Sequence, residues 1–304
     1  MMTFRCLLTL AAGITLSSTL FAQAYQQDIA RDSARSDKRT GGHVQKAVLV
    51  PGDPNIRVSI NLPSFQMTLW QNGKEIRTYP VGIGMAEFPV PASLRRAGSI
   101  EWNPVWIPPS SDWIEKSSTV KPGEVVLPTD PRNPLGKVKI PLGYGYLIHQ
   151  AKGPGDMGSL VSHGCIRVMQ ADIYDLAERI VAARSLDVTP VQIASAKRSK
   201  RTLLAPLDPA VTVEITYDTI VVENGQLNIY PDVYKHNRNT VENVRRELET
   251  SGVDDSKLTD TQIRKMMAAA VGKRKFGVSV AAIERGSALM SGRSTLVLDR
   301  TPGN

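Results

Sequence analysis

Between residues 84 and 136 the chain carries Pro89, Pro91, Pro104, Pro108, Pro109, Pro122, Pro128, Pro131 and Pro134. A proline inside a helix removes a backbone donor and clashes with the preceding turn, so this stretch excludes long helices and admits short strands and ordered loops. Its flanks are strand-like. Ile56, Val58 and Ile60 alternate with polar residues, Phe65, Met67 and Leu69 repeat the alternation, and residues 75–81 return after Asn72-Gly73. Asn-Gly tolerates the two positive φ angles that a two-residue hairpin turn needs. Residues 138–148 are predicted as a further strand, with Tyr144, Tyr146 and Ile148 alternating. The pattern predicts a mainly β fold.

One helix breaks that pattern. Ile173, Leu176, Ala177, Ile180 and Val181 recur on one face of a 3.6-residue period, with Asp172 as the expected N-cap. Residues 188–193 are predicted as a final strand, confined to a sheet edge by Pro190. The basic run Lys197-Arg198-Ser199-Lys200-Arg201 is read as a boundary, giving a first domain over 47–196 and a C-terminal appendage over 205–304. In the second part residues 211–217 alternate, and residues 219–223 and 226–230 flank Asn224-Gly225 as a second hairpin. Polar helices are expected over 239–250 and 259–271, making a small α+β unit; the last thirty residues give no clear signal.

The first residues set an expectation for the compartment. Arg5 precedes an apolar stretch from Leu7 to Phe21, and Ala22-Gln23-Ala24 places small residues where a signal peptidase reads. This is the layout of a secretory signal over 1–24, and the apolar stretch is short for a membrane-spanning helix. Residues 25–46 are polar and charged and are read as a disordered tether. Removal of the signal lowers the net charge from +8 to +7, since only Arg5 is lost. An exported basic protein meets anionic envelope polymers rather than nucleic acid, so periplasm or cell envelope is the expected location.

Cleavage would also remove Cys6 and leave Cys165 as the sole thiol. Exported proteins normally use cysteines in pairs. A solitary thiol is either an inert buried packing residue or a reactive one. Its neighbours favour reaction. The chain has four histidines, His43, His149, His163 and His236, and two of them lie close to Cys165 in sequence. His163 precedes Cys165 by two positions and projects to the same side of an extended segment. His149 ends a predicted strand, and the loop 150–161 can fold it back over the cysteine. Gly164 permits unusual backbone angles and close approach of a substrate. Arg167 either holds a substrate carboxylate or forms a structural ion pair. One Cys and two His lack a fourth zinc ligand of diagnostic spacing, so no metal and no cofactor is expected.

Ser162-His163-Gly164-Cys165-Ile166-Arg167, preceded by Tyr146-Leu147-Ile148-His149, resembles the signature of L,D-transpeptidases with the YkuD-type catalytic domain. Val81-Gly82-Ile83-Gly84, Asn103-Pro104-Val105-Trp106-Ile107-Pro108-Pro109 and Asp130-Pro131-Arg132-Asn133-Pro134-Leu135-Gly136 are similar to family segments in the same order. The resemblance implies a β-sandwich-like domain of mixed sheets with a helix after the cysteine motif. It implies that Cys165 attacks a peptidoglycan tetrapeptide stem, releases D-Ala and forms a thioester. A neighbouring stem amine, water or the lysine of an envelope lipoprotein then resolves the thioester. It makes His149 and His163 catalytic candidates and Ser162, Gly164 and Arg167 substrate-binding candidates. Two departures stand out: Gln150-Ala151-Lys152 follows the first histidine where the family carries Gly or Ser, and Val90-Pro91-Ala92-Ser93 replaces a Thr-Pro-x-Gly segment.

Overall fold

The alternation over residues 56–71 is realised as β1 (Ile56–Asn61) and β2 (Gln66–Gln71), and β3 (Lys74–Gly84) returns antiparallel along β2. The protein is described by a computed structural model over residues 56–185 and 187–298; the expected signal and tether, with Cys6 and His43, lie outside the described residues. Asn72 and Gly73 take φ of 52° and 74°, the paired positive angles that the dipeptide predicts. Ile56, Val58, Ile60, Met67 and Leu69 are buried, so one side of each strand faces a core.

The remaining strands of this sheet are β4 (Ser93–Trp102), β5 (Val138–Pro141), β6 (Leu147–Gln150), β7 (Leu160–Ser162), β8 (Ile166–Val168) and β9 (Leu203–Thr216). Their order is β2-β1-β9-β4-β5-β6-β8-β3-β7, with parallel pairs β1–β9, β6–β8 and β3–β7. β3 pairs with β2 along its first half and hands over to β8 at Val81 and Gly82. The sheet therefore closes on itself, as a mainly β, sandwich-like mixed sheet. Trp102, Tyr79, Ile100, Ile140, Ile148 and Ile166 fill its interior. The expected single strand over 138–148 is two strands, because Gly143, Tyr144 and Gly145 take positive φ and turn β5 into β6. Within the proline-rich stretch only β4 and the one-turn helix α1 (Asp112–Glu115) are regular, beside a small separate core of Trp106, Ile114, Val120, Val126 and Leu135.

The helix after the cysteine is α2 (Gln170–Arg184), and its buried residues are the five that the periodicity names. Asp172 is not its N-cap. Met169 holds that position with no side-chain cap, and Asp172 sits in the first turn, 3.3 Å from the Arg77 guanidinium. The favourable dipole of the helix start and that ion pair account for an acid there. Residues 188–193 are not a strand. Thr189 caps helix α3 (Pro190–Arg198), accepting from the Gln192 N–H while the Gln192 side chain accepts from the Thr189 N–H. This capping box, with Pro190 in the first turn where its missing N–H costs nothing, overrides the strand preference of Val188 and Val191.

The run Lys197–Arg201 does not end the sheet. The strand that follows it, β9, lies between β1 and β4, parallel to the first and antiparallel to the second. The chain then leaves for a second unit. β10 (Ile220–Glu223), β11 (Gln226–Ile229), β12 (Arg274–Ser279) and β13 (Arg293–Leu296) form an antiparallel sheet in that order. Asn224 and Gly225 make the predicted hairpin with φ of 50° and 70°. Helices α4 (Val241–Thr250) and α5 (Asp260–Ala268) match the two expected ones, and α6 (Val280–Glu284) and α7 (Ala288–Ser291) follow. The stretch without signal thus holds two strands and two helices, each too short to show a period. Among the described residues no helix is long and apolar enough to cross a membrane.

Since β9 has a partner on each side, a chain truncated after Lys200 should lose the whole β1–β9–β4 connection. Circular dichroism and urea titration should show no cooperative unfolding. A cooperative transition from that truncated chain would contradict the topology.

Candidate active site

Cys165 lies immediately before β8, and His149 lies on the parallel neighbour β6, where Ile148 pairs with Ile166 and His149 with Arg167. Ile148, Ile166 and Val168 point into the core. Alternation along the strands then puts Cys165, Arg167 and His149 on the opposite side. Three hydrophobic anchors on two adjacent strands thereby turn three polar residues that are scattered in sequence to one side.

His149 is buried, and its Nδ1 lies 3.0 Å from the Gln150 carbonyl oxygen. A carbonyl only accepts, so Nδ1 carries the proton and Nε2 keeps its lone pair. Burial, and secondarily the Arg167 charge, push the His149 pKa down to about 4, against the opposing effects of the Gln150 carbonyl and Asp156. Cys165 responds in the other direction. Burial of its sulfur pushes the thiol up to about 11, although the Leu147 backbone and Arg167 favour the thiolate. Resting at neutral pH, the site holds an uncharged thiol and an uncharged imidazole.

Gly164 takes φ of 99°, which an L side chain rarely adopts, and a Cβ there would lie 3.2 Å from the Tyr146 ring. Close approach also explains Gly84: a Cβ on it would meet the Phe88 carbonyl oxygen at 2.1 Å, with Gly164 Cα 3.2 Å away. The glycines let the segment after β3 lie directly over the cysteine turn. Ser162 is turned inward. Its hydroxyl is buried and donates to the Cys165 carbonyl oxygen at 2.5 Å, so it shapes the turn rather than facing the cleft. Arg167 pairs with Asp156 at 3.2 Å, the structural ion pair of its two readings, and Asp156 also accepts from the Lys152 N–H at 2.9 Å. The Arg167 Nε is buried and has no acceptor among the described residues.

His163 sits at the surface with its ring held between aromatics. It stacks on Trp113 at 4.2 Å between centroids with an 11° interplanar angle, and meets the edge of Phe88 at 4.7 Å. This partial burial, then the Arg167 and Lys152 charges, lower its pKa. Trp113, Phe88, Tyr146 and Asp156 are the site residues that sequence reasoning missed. Only Asp156, in the turn-forming segment Gly153-Pro154-Gly155-Asp156, carries a local signal. Among the described residues no group of three metal-ligating side chains gathers.

A thiol, a buried imidazole and a guanidinium thus lie on one side of two neighbouring strands of a mixed β-sheet. Residues 55–193 match the family model for YkuD, the L,D-transpeptidase catalytic domain. It is similar to the probable L,D-transpeptidase YbiS of Escherichia coli (strain K12), with 24% identity over 183 residues, 57% of this chain and 60% of that protein. The probable L,D-transpeptidase ErfK/SrfK of Salmonella typhimurium is 27% identical over 139 residues, 45% of each chain. The match thus spans at most about three fifths of these relatives. A solved L,D-transpeptidase from Mycobacterium smegmatis aligns with 53% of this chain and 58% of its own, at 17% identity and a TM-score of 0.33.

The buried imidazole has a measurable consequence. In the unfolded chain His149 takes a proton near its ordinary 6.5, and in the fold only near 4. Its contribution to stability is therefore complete above pH 6.5 and is lost as pH falls toward 4. Urea unfolding at pH 7 and pH 4.5 should show the wild type losing about 2 kcal/mol more than His149→Gln on acidification. Equal losses would mean that His149 is hydrated.

Proposed function

We propose that this protein is an exported peptidoglycan L,D-transpeptidase working through Cys165. The observation that supports the reading is the pairing of β6 with β8, whose alternation turns Cys165 and a buried His149, its proton held on Nδ1, to the same side of the sheet. In this scheme the His149 Nε2 takes the thiol proton as Sγ attacks the carbonyl of the third stem residue. Backbone N–H groups of the turn at Gly164 face the developing oxyanion. The C–N bond to D-Ala breaks, and the proton on His149 passes to the departing amine. A thioester on Cys165 remains. An amine on the diamino acid of a neighbouring stem attacks it, giving a 3–3 cross-link and restoring the thiol.

His163, held between Trp113 and Phe88, is read as a cleft wall that orients the stem, assisting rather than replacing His149. Arg167 pairs with Asp156 and has an Nε with no acceptor among the described residues, which supports a part in holding a stem carboxylate. Water as acceptor would make the protein an L,D-carboxypeptidase, and a lysine side chain would attach an envelope lipoprotein. The changed Gln150-Ala151-Lys152 segment directly follows His149, so product analysis must decide among these.

Incubation with disaccharide tetrapeptides, followed by mass spectrometry of muropeptides, should show loss of D-Ala and 3–3 dimers. Tripeptide alone would indicate hydrolysis. Cys165→Ala should abolish both products, and His149→Ala should reduce the rate by about 10²–10⁴-fold. A carbapenem should add one acyl group to the wild type and none to Cys165→Ala. Product formation by Cys165→Ala would overturn the reading.

A further inference from the structure

The C-terminal unit touches the active-site segments at two places outside the family match. Tyr234, in the loop after β11, donates its hydroxyl proton to the Gly84 carbonyl oxygen at 3.0 Å and accepts from the Val90 N–H at 3.3 Å. These two groups are the ends of the excursion 84–90 between β3 and β4. One phenol therefore closes the base of that loop. Inside it, Met85 N–H donates to the Ser162 carbonyl at 2.9 Å, Phe88 N–H donates to the Met85 carbonyl at 3.0 Å, and the Phe88 ring lies against His163.

Tyr234 is itself held firmly. Its N–H donates to the Tyr217 hydroxyl at 2.7 Å, the two rings stack at 5.5 Å, and the Tyr217 hydroxyl donates to Asp232 at 2.6 Å. Asp232 also accepts from the His236 and Arg238 N–H groups, each at 2.9 Å, which ties the whole loop together. Burial raises the Tyr234 phenol to about 12, so it stays a donor at any working pH. The second contact falls on the loop between His149 and Cys165. Lys273 Nζ donates to the Ser159 hydroxyl at 2.8 Å, and Leu298 packs so near Gly158 that an added Cβ would lie 3.1 Å from it.

We propose that the C-terminal unit is a positioning element for the active site, in which Tyr234 latches the 84–90 loop and so presses Phe88 onto His163. Two hydrogen bonds to opposite ends of a short loop suppress its opening, because either end can leave only by stranding a backbone group at a partly buried site. Without the latch Phe88 withdraws, the His163 ring gains water, and the stem peptide meets a looser wall. The thiol and His149, held by β6 and β8, are untouched. The latch itself is independent of the transpeptidase reading; only its effect on turnover rests on it.

The test is Tyr234→Phe in the full chain, with Phe88→Leu as a second variant that leaves the latch in place. Titration of the His163 imidazole by NMR should move upward toward the ordinary histidine value in both. With a tetrapeptide donor, KM should rise about fivefold, the fold-change of one lost hydrogen bond, while Cys165 alkylation by iodoacetamide stays within about twofold of wild type. A merely structural tyrosine would lower the melting temperature and leave the His163 midpoint and KM unchanged, and that result overturns the proposal. A wild type inactive on tetrapeptides, with the His163 midpoint still moved by Tyr234→Phe, would sink the transpeptidase reading and uphold the latch.

Discussion

The pairing of two short strands, β6 and β8, organises everything around it. β6 offers Ile148 to the core opposite Ile166 of β8, which also buries Val168, and the parallel register leaves His149 opposite Arg167, two residues past Cys165. A shift of one residue would send the imidazole into the core and an isoleucine into the cleft, because strand side chains alternate with a period of two. Burial of Ile148, Ile166 and Val168 is worth roughly 1.5–3 kcal/mol for each side chain, enough to specify that register. The rest of the closed sheet, including β9 threaded between β1 and β4, serves to hold these strand ends in place.

The same burial that fixes the geometry sets the electrostatics. Burial penalises both charged partners of a thiolate–imidazolium pair, so the thiol rises and the imidazole falls. Arg167 opposes this for the thiol, but its own charge is shared with Asp156, which also holds the Lys152 end of the loop. The resting site is thus neutral and depends on proton transfer during attack. A neutral resting thiol suits an oxidising compartment, where a standing thiolate would be prone to damage.

Local chemistry made part of this legible from residues alone. Both Asn-Gly turns, the buried face of α2 and the grouping of Cys165 with His149 follow from turn geometry, helical period and the scarcity of thiols. What failed was long-range or competitive. The pairing of β9 with β1 joins segments far apart in sequence, and a basic run between them imitates a boundary. Thr189-Pro190-Val191-Gln192 carries a capping box, yet its β-branched residues read locally as strand. Trp113 and Phe88 reach His163 from elsewhere in the chain through tertiary folding, and neither position has a periodic signature. Tyr234 belongs to the same class, since its partners Gly84 and Val90 lie in another unit of the chain.

The account stands on a neutral thiol held beside a neutral imidazole, and the pH dependence of Cys165 reactivity measures that state directly. Iodoacetamide alkylation, followed by intact mass, should be slow at pH 7 and climb continuously with pH toward the thiol's value of about 11, with no plateau near neutrality. A rate that levels off below pH 6 would reveal a preformed thiolate–imidazolium pair and contradict the neutral site described above.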